Sequence, residues 1–122
     1  MKVFVPLLSV ALFFIALISC DDRDDNLTGP NIRIHNLSSQ NFTMVEVPQD
    51  TIRYENIGSE GFSPYQEYNE AFEQMALIVS ADSSTFNFSP SELNFEPLPI
   101  GLYTYQLNID EEGQLIFNFK VD

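Results

Sequence analysis

From about residue 31 onward, apolar and polar side chains alternate with a period of two. Ile32 and Ile34 alternate with Arg33 and His35. Phe42, Met44 and Glu46 lie opposite Thr43, Val45 and Val47. Ile52, Tyr54 and Asn56 alternate with Thr51, Arg53 and Glu55. Met75, Leu77, Val79 and Ala81 line one side of a fourth segment, and Phe86 and Phe88 mark a short fifth. Successive side chains of a strand point to opposite faces, so each segment reads as a half-buried strand.

The last two segments are the most regular. Tyr103, Tyr105, Leu107 and Ile109 face inward, with Thr104, Gln106 and Asn108 outward. Leu115, Phe117, Phe119 and Val121 face inward, with Gln114, Asn118 and Lys120 outward. Asp110-Glu111-Glu112-Gly113 between them suits a hairpin loop. Phe117 and Tyr105 are expected to be buried on these facing strands. Short strands separated by turns predict an all-β fold. Residues 31–122 are of the usual size for an antiparallel immunoglobulin-like β-sandwich.

The segment after residue 62 reads two ways. Ser63-Pro64-Tyr65-Gln66 offers a capping Ser, a Pro at the first helical position and a Gln that could close a capping box. Phe62, Tyr65, Tyr68 and Phe72 are spaced near helical repeats. The alternative is a strand through Tyr65 and Tyr68.

The first nineteen residues follow another pattern. Met1-Lys2 is a short positive start, Val3 to Ile18 is nearly all apolar, and Ser19-Cys20 precedes Asp21-Asp22. This is the layout of a secretory signal peptide, and the run is short for a transmembrane helix. Leu17-Ile18-Ser19-Cys20 resembles the lipobox of bacterial lipoproteins. That resemblance implies a thioether-linked diacylglyceryl group on Cys20, cleavage before it, and acylation of the new amine. Two or more acyl chains hold a protein on a bilayer where one does not. Residues 20–30 then form an acylated Cys and an acidic tether.

Charge sharpens the picture. The 122 residues carry 18 acids against 5 bases, a formal net charge of −13. Nucleic acid is excluded as a partner, because phosphate binding needs a basic face. Asp21, Asp22, Asp24 and Asp25 form the densest charge run. Surface lipoproteins of the Bacteroidota carry an acidic run just after the acylated Cys, and the resemblance implies export to the outer leaflet. In enteric-type bacteria an Asp after the Cys would instead imply retention in the inner membrane. A domain facing the periplasm is the second choice.

From Ile52 onward the order of elements also resembles small Bacteroidota lipoproteins of unassigned activity. A strand ending Tyr54-Glu55-Asn56-Ile57 leads into Gly58-Ser59-Glu60-Gly61. Ser63 to Tyr68, the apolar Ala76 to Ala81 and a Pro-rich approach to Gly101-Leu102-Tyr103-Thr104-Tyr105 follow. The resemblance implies a β-sandwich and favours strand for Ser63 to Tyr68. This chain departs from it at Asp82-Ser83-Ser84, where a tighter Gly-containing turn is expected. Leu98, Gly101, Tyr103 and Tyr105 resemble a tyrosine corner, in which a hydroxyl folds back onto upstream backbone. Read plainly, Tyr103 is an aromatic strand residue.

Chemistry is sparse. His35 is the sole imidazole, with no nucleophile motif beside it, and reads as a solvent-facing strand residue. One Cys excludes an internal disulfide. No cofactor or metal motif is present, and the Asp110 to Glu112 turn matches no calcium loop. The sequons at Asn26, Asn36, Asn41 and Asn87 read as chance products. Asp50-Thr51-Ile52 resembles a short O-glycosylation motif of exported Bacteroidota proteins, with Thr51 as the acceptor.

The sequence therefore leads to a non-enzymatic binding or accessory module, anchored on the outer membrane through Cys20. Phe62, Tyr65 and Tyr68 are the candidate contacts for a glycan or an envelope protein, since aromatics lead such surfaces. The plainer reading, and the favoured one, is that these rings fill the core. The competing function is a small envelope hydrolase using a carboxylate pair.

Overall fold

The alternating segments pair into two four-stranded sheets. In this computed structural model, residues 27–82, 84–90 and 95–122 are described. The strands are β1 (Pro30–Asn36), β2 (Phe42–Val47), β3 (Ile52–Ile57), β4 (Gln66–Glu67), β5 (Leu77–Ala81), β6 (Ser84–Phe88), β7 (Gly101–Ile109) and β8 (Leu115–Val121). A 3-10 turn, Pro48–Asp50, joins β2 to β3. The first sheet runs β4-β1-β7-β8 and the second β3-β2-β5-β6. The all-β sandwich architecture is present.

One pair departs from a purely antiparallel plan. β1 and β7 run parallel, with Pro30 to Asn36 in register with Gly101 to Leu107. A parallel pair needs a long crossover, and here the whole second sheet is built between the two strands.

Ile32, Ile34, Val45, Val47, Tyr54, Leu77, Val79, Tyr105 and Leu107 meet between the sheets, all buried. Two strands break strict alternation to fill this core. A bulge lies between Phe42 and Met44, so Phe42 is buried with Val45 and Val47 rather than opposite them. An extra residue in one strand shifts every later side chain to the other face. In β3, Asn56 takes a left-handed φ of 53°. It stays exposed and turns Ile57 inward.

β8 is less covered than its pattern predicts. Leu115, Phe117 and Phe119 are half-buried and Val121 is 66% exposed. An edge strand has a neighbour on one side only, so its inward side chains are incompletely roofed. Tyr105 is buried as expected. Its register partner is Phe119, and the Phe117 ring leans against it from 4.7 Å.

The segment after Gly61 is not helical. Only Gln66–Glu67 is regular strand, paired with β1. The Ser63 and Asn36 amides still donate to the Ile34 and Gly61 carbonyls, and the Tyr68 amide donates to that of Pro30. Pro64 disfavours a continuous ladder here, and the Ser63 hydroxyl accepts the Ile34 amide at 2.8 Å. The chain thus runs along β1 as an irregular edge.

Tyr103 forms the corner. Its hydroxyl donates to the Pro99 carbonyl at 2.7 Å, and Gly101 leaves room for it. A Cβ at position 101 would stand 3.1 Å from that hydroxyl.

Candidate functional site

The outer face of the first sheet carries a built cluster. Alternation along β1 puts Arg33 and His35 on this face, because Ile32 and Ile34 go to the core. The irregular edge brings Phe62 and Tyr65 beside them. Phe62 is the bridge partner of His35, and their rings stack 3.8 Å apart at 12°. The Arg33 guanidinium carbon lies 4.2 Å from the Phe62 centroid and 4.9 Å from that of Tyr65. Two planar groups this close to one ring cannot share a face of it. The order is therefore His35, Phe62, Arg33, Tyr65, a four-layer stack alternating between β1 and the edge segment.

Polar contacts fix the stack laterally. Arg33 Nε donates to Thr104 Oγ1 at 3.1 Å and lies 3.7 Å from Asp122 Oδ2. The Tyr65 hydroxyl donates to Asp122 Oδ2 at 2.6 Å, and Thr104 Oγ1 bonds the same carboxylate. Burial opposes ionisation of Asp122. The Tyr65 and Thr104 hydroxyls, with Arg33 and Lys120, outweigh it and hold the carboxyl below its ordinary range. Burial and the contact with Asp122 raise the Tyr65 phenol, which stays a donor. Thr104 points outward as its position predicts, yet it is buried. Arg33 and Asp122 cover it.

The register extends the face. Arg33 pairs with Thr104 and Thr104 with Lys120. One row over, His35 pairs with Gln106 and Gln106 with Asn118. Phe62 remains 50% exposed.

Of the three candidate aromatics, Phe62 and Tyr65 meet at this face and Tyr68 does not. Tyr68 is 1% exposed and belongs to the core. Its hydroxyl lies 2.9 Å from that of Tyr54. Sequence reasoning missed Arg33, Thr104 and Asp122. The available signal was Arg33 and His35 on one face of a strand. Their partners come from remote segments.

The other sequence candidates stand apart from this face. Thr51 is exposed and caps the 3-10 turn with a left-handed φ of 56°. It borders an open hollow of about 180 Å³ with Glu46, Val47, Pro48, Ile52 and Arg53. The Asn36 sequon is internal. Its amide donates to the Gln40, Ile57 and Gly58 carbonyls, and its Oδ1 accepts from Ser38. Cys20 and the export-signal residues Asp21, Asp22, Asp24 and Asp25 lie outside the described residues, as does the lipobox. Among the described residues no group of three or more His, Cys, Asp and Glu could hold a metal ion. No described helix is long and apolar enough to cross a membrane.

No family model matches the sequence, and no curated protein matches it. A solved structure does share the fold: an NMR structure of a protein from Eubacterium rectale. It has a TM-score of 0.53 at 14% identity and covers 82% of this chain and 93% of that one. At that identity the likeness concerns the fold alone.

Proposed function

We propose that this chain is an outer-membrane lipoprotein, acylated at Cys20 and displayed at the cell surface. Its β-sandwich acts as a non-enzymatic binding module through the outer face of the first sheet. The observation that carries the binding role is the stack of His35, Phe62, Arg33 and Tyr65, held in one geometry by Thr104 and Asp122. Preorganised aromatic and Arg groups bind at low entropic cost. The lipobox and the Asp21 to Asp25 run support the address. Nine residues separate Cys20 from β1 at Pro30. Such a tether reaches at most roughly 35 Å, so the face works close to the membrane. A glycan is the favoured ligand class.

The hydrolase reading needs two carboxylates flanking one bond. Of three open hollows bordered by described residues, one carries Glu46, one carries Asp82 and one carries no carboxylate.

Two measurements test the proposal. Fatty-acid labelling of the precursor should be abolished by Cys20→Ser, because the thiolate forms the thioether. A Cys20→Ser chain that still labels and still partitions wholly with membranes overturns the anchor. Affinity capture from the native envelope should recover a glycan with the parent and lose it with Phe62→Ala. Equal recovery by both moves binding away from this face.

A further inference from the structure

We infer that the outer face of the first sheet selects an acidic glycan, one whose sugar rings carry carboxylates. This rests on the binding-module reading above and adds the charge class of the ligand.

The argument begins with charge placement. The described residues contain three Lys and Arg side chains, Arg33, Arg53 and Lys120, and one imidazole, His35. Arg33, Lys120 and His35 share this one face of a chain whose net charge is −13. Two acids border the face. Asp122 is held by Tyr65, Thr104 and Arg33, and Glu67, which accepts from the Thr28 hydroxyl at 2.6 Å, stands on β4, three strands from Lys120.

The guanidinium geometry narrows the ligand. Phe62 and Tyr65 cover its two faces, and Thr104 and Asp122 occupy the Nε edge. The contacts that fix Arg33 among the described residues thus leave its terminal Nη donors to act in the guanidinium plane. Paired planar donors match a carboxylate in the bidentate manner. Lys120 lies two strands away across Thr104, about 10 Å at ordinary strand spacing. That separation accommodates a second charged group on an adjoining sugar.

The remaining side chains suit hydroxyls. Gln106 and Asn118 adjoin the cationic row and present amides, which both donate and accept. Phe62, half of it exposed, offers apolar surface to sugar C–H groups. An extended peptide adds a strand only at an open edge of the sheet, and the β8 edge lies two strands from Arg33, because β1 is paired on both sides and β7 lies between β1 and β8. No peptide strand can pair at Arg33 and His35. Recognition there falls to side chains.

The test uses the mature acylated chain in detergent, titrated calorimetrically with tetragalacturonate and with its methyl ester. Sialyllactose and lactose form a second acidic and neutral pair. Esterification removes charge while keeping the sugar. Binding of an acidic probe at least tenfold tighter than its neutral partner supports the inference. Arg33→Gln should weaken that binding by about tenfold or more, as expected for losing a charge-assisted bidentate contact. Because Arg33 also braces the edge segment, Lys120→Gln is the companion variant. Lys120 lies outside the stack and is the smallest of the influences that depress the Asp122 carboxyl, so its variant should melt close to the parent and bind the acidic probe several-fold more weakly. Equal binding of acidic and neutral probes overturns the charge selection but leaves a glycan-binding module. Binding of neither acidic probe overturns the inference. Polyglutamate bound as tightly as tetragalacturonate overturns it in favour of an acidic protein partner. None of these outcomes bears on fatty-acid labelling of Cys20, so anchor and ligand class fail separately.

Discussion

Tyr54, on β3 of the second sheet, donates its hydroxyl to the carbonyl of Ile32 on β1 of the first, 2.7 Å away. This bond crosses the sandwich interior. The Tyr68 hydroxyl lies 2.9 Å from the Tyr54 hydroxyl and completes a buried chain. Burial pushes both phenols above their ordinary value, so both stay neutral donors at physiological pH.

The chain has a direction that mutation can read. Tyr54→Phe removes the link to Ile32 and leaves the Tyr68 hydroxyl unpartnered. A buried unsatisfied group costs about 1–3 kcal/mol. Tyr68→Phe removes one donor while Tyr54 keeps its carbonyl, and should cost about 1 kcal/mol. Urea denaturation of both variants checks the order. Equal losses would show that the hydroxyls do not act in this sequence.

At the corner, Gly101 and Tyr103 should be energetically coupled. A Cβ at 101 meets the Tyr103 hydroxyl and the ring carbon that bears it, at 3.1 and 3.3 Å. Gly101→Ala therefore displaces the ring or breaks its bond to Pro99. Removing the hydroxyl first relieves part of that clash. In a double-mutant cycle, Gly101→Ala should cost at least 0.5 kcal/mol less in the Tyr103→Phe background, an order set by couplings between touching residues. Additive losses would separate the two positions.

Sequence pattern revealed the strands where local burial alone decides side-chain direction. Ile32 and Ile34 in β1, the Met75 to Ala81 row, and Tyr103, Tyr105 and Leu107 in β7 all face inward as alternation requires. It failed where one residue breaks the period. The bulge after Phe42 and the left-handed Asn56 change phase, and neither carries a Gly or Pro to announce it. The candidate face was legible in halves. Phe62 and Tyr65 were visible as aromatics. Their stacking with Arg33 and His35 depends on an edge segment whose pairing with β1 is non-local, and Asp122 reaches them from beyond the last strand.

Acid should report on Asp122. Its carboxyl is depressed in the folded chain, so the proton binds more tightly to the unfolded chain. Stability from this group is present above the unfolded value near 4 and is lost as pH falls through the lower folded value. Asp122→Asn should melt below the parent at pH 6. The two melting temperatures should converge as pH falls below about 4. A constant gap across that range would mean that Asp122 contributes through shape and hydrogen bonding rather than charge.

Phe42 and Phe117 should differ although both face inward. Phe42 is fully buried on β2, whereas Phe117 is half-buried on the edge strand β8. Full burial of a Phe makes truncation cost about 3–5 kcal/mol. Phe42→Ala should fall in that range and threaten folding, since domains of this size have only about 5–15 kcal/mol to lose. Phe117→Ala leaves a gap that solvent and neighbouring side chains can fill, and should cost about half as much. Denaturation midpoints measure the ratio, and equal costs would place Phe117 deeper than its partial exposure indicates.

The acidic run beside the anchor gives the last expectation. Asp21, Asp22, Asp24 and Asp25 follow Cys20 directly, and four like charges in five residues favour solvation over packing. A spacer needs only length and solubility, which Ser supplies equally well. An export receptor would read negative charge next to the lipid. On the surface-lipoprotein proposal, replacing the four Asp with Ser should leave acylation and the melting curve unchanged. It should also move the domain from the cell surface to the periplasmic side. Protease shaving of intact cells measures this, with a periplasmic protein as the leak control. Parent shaved and variant protected is the expected result. Equal shaving of both reduces the run to a spacer. Protection of both places the domain on the periplasmic face, where an accessory role in the envelope replaces surface display.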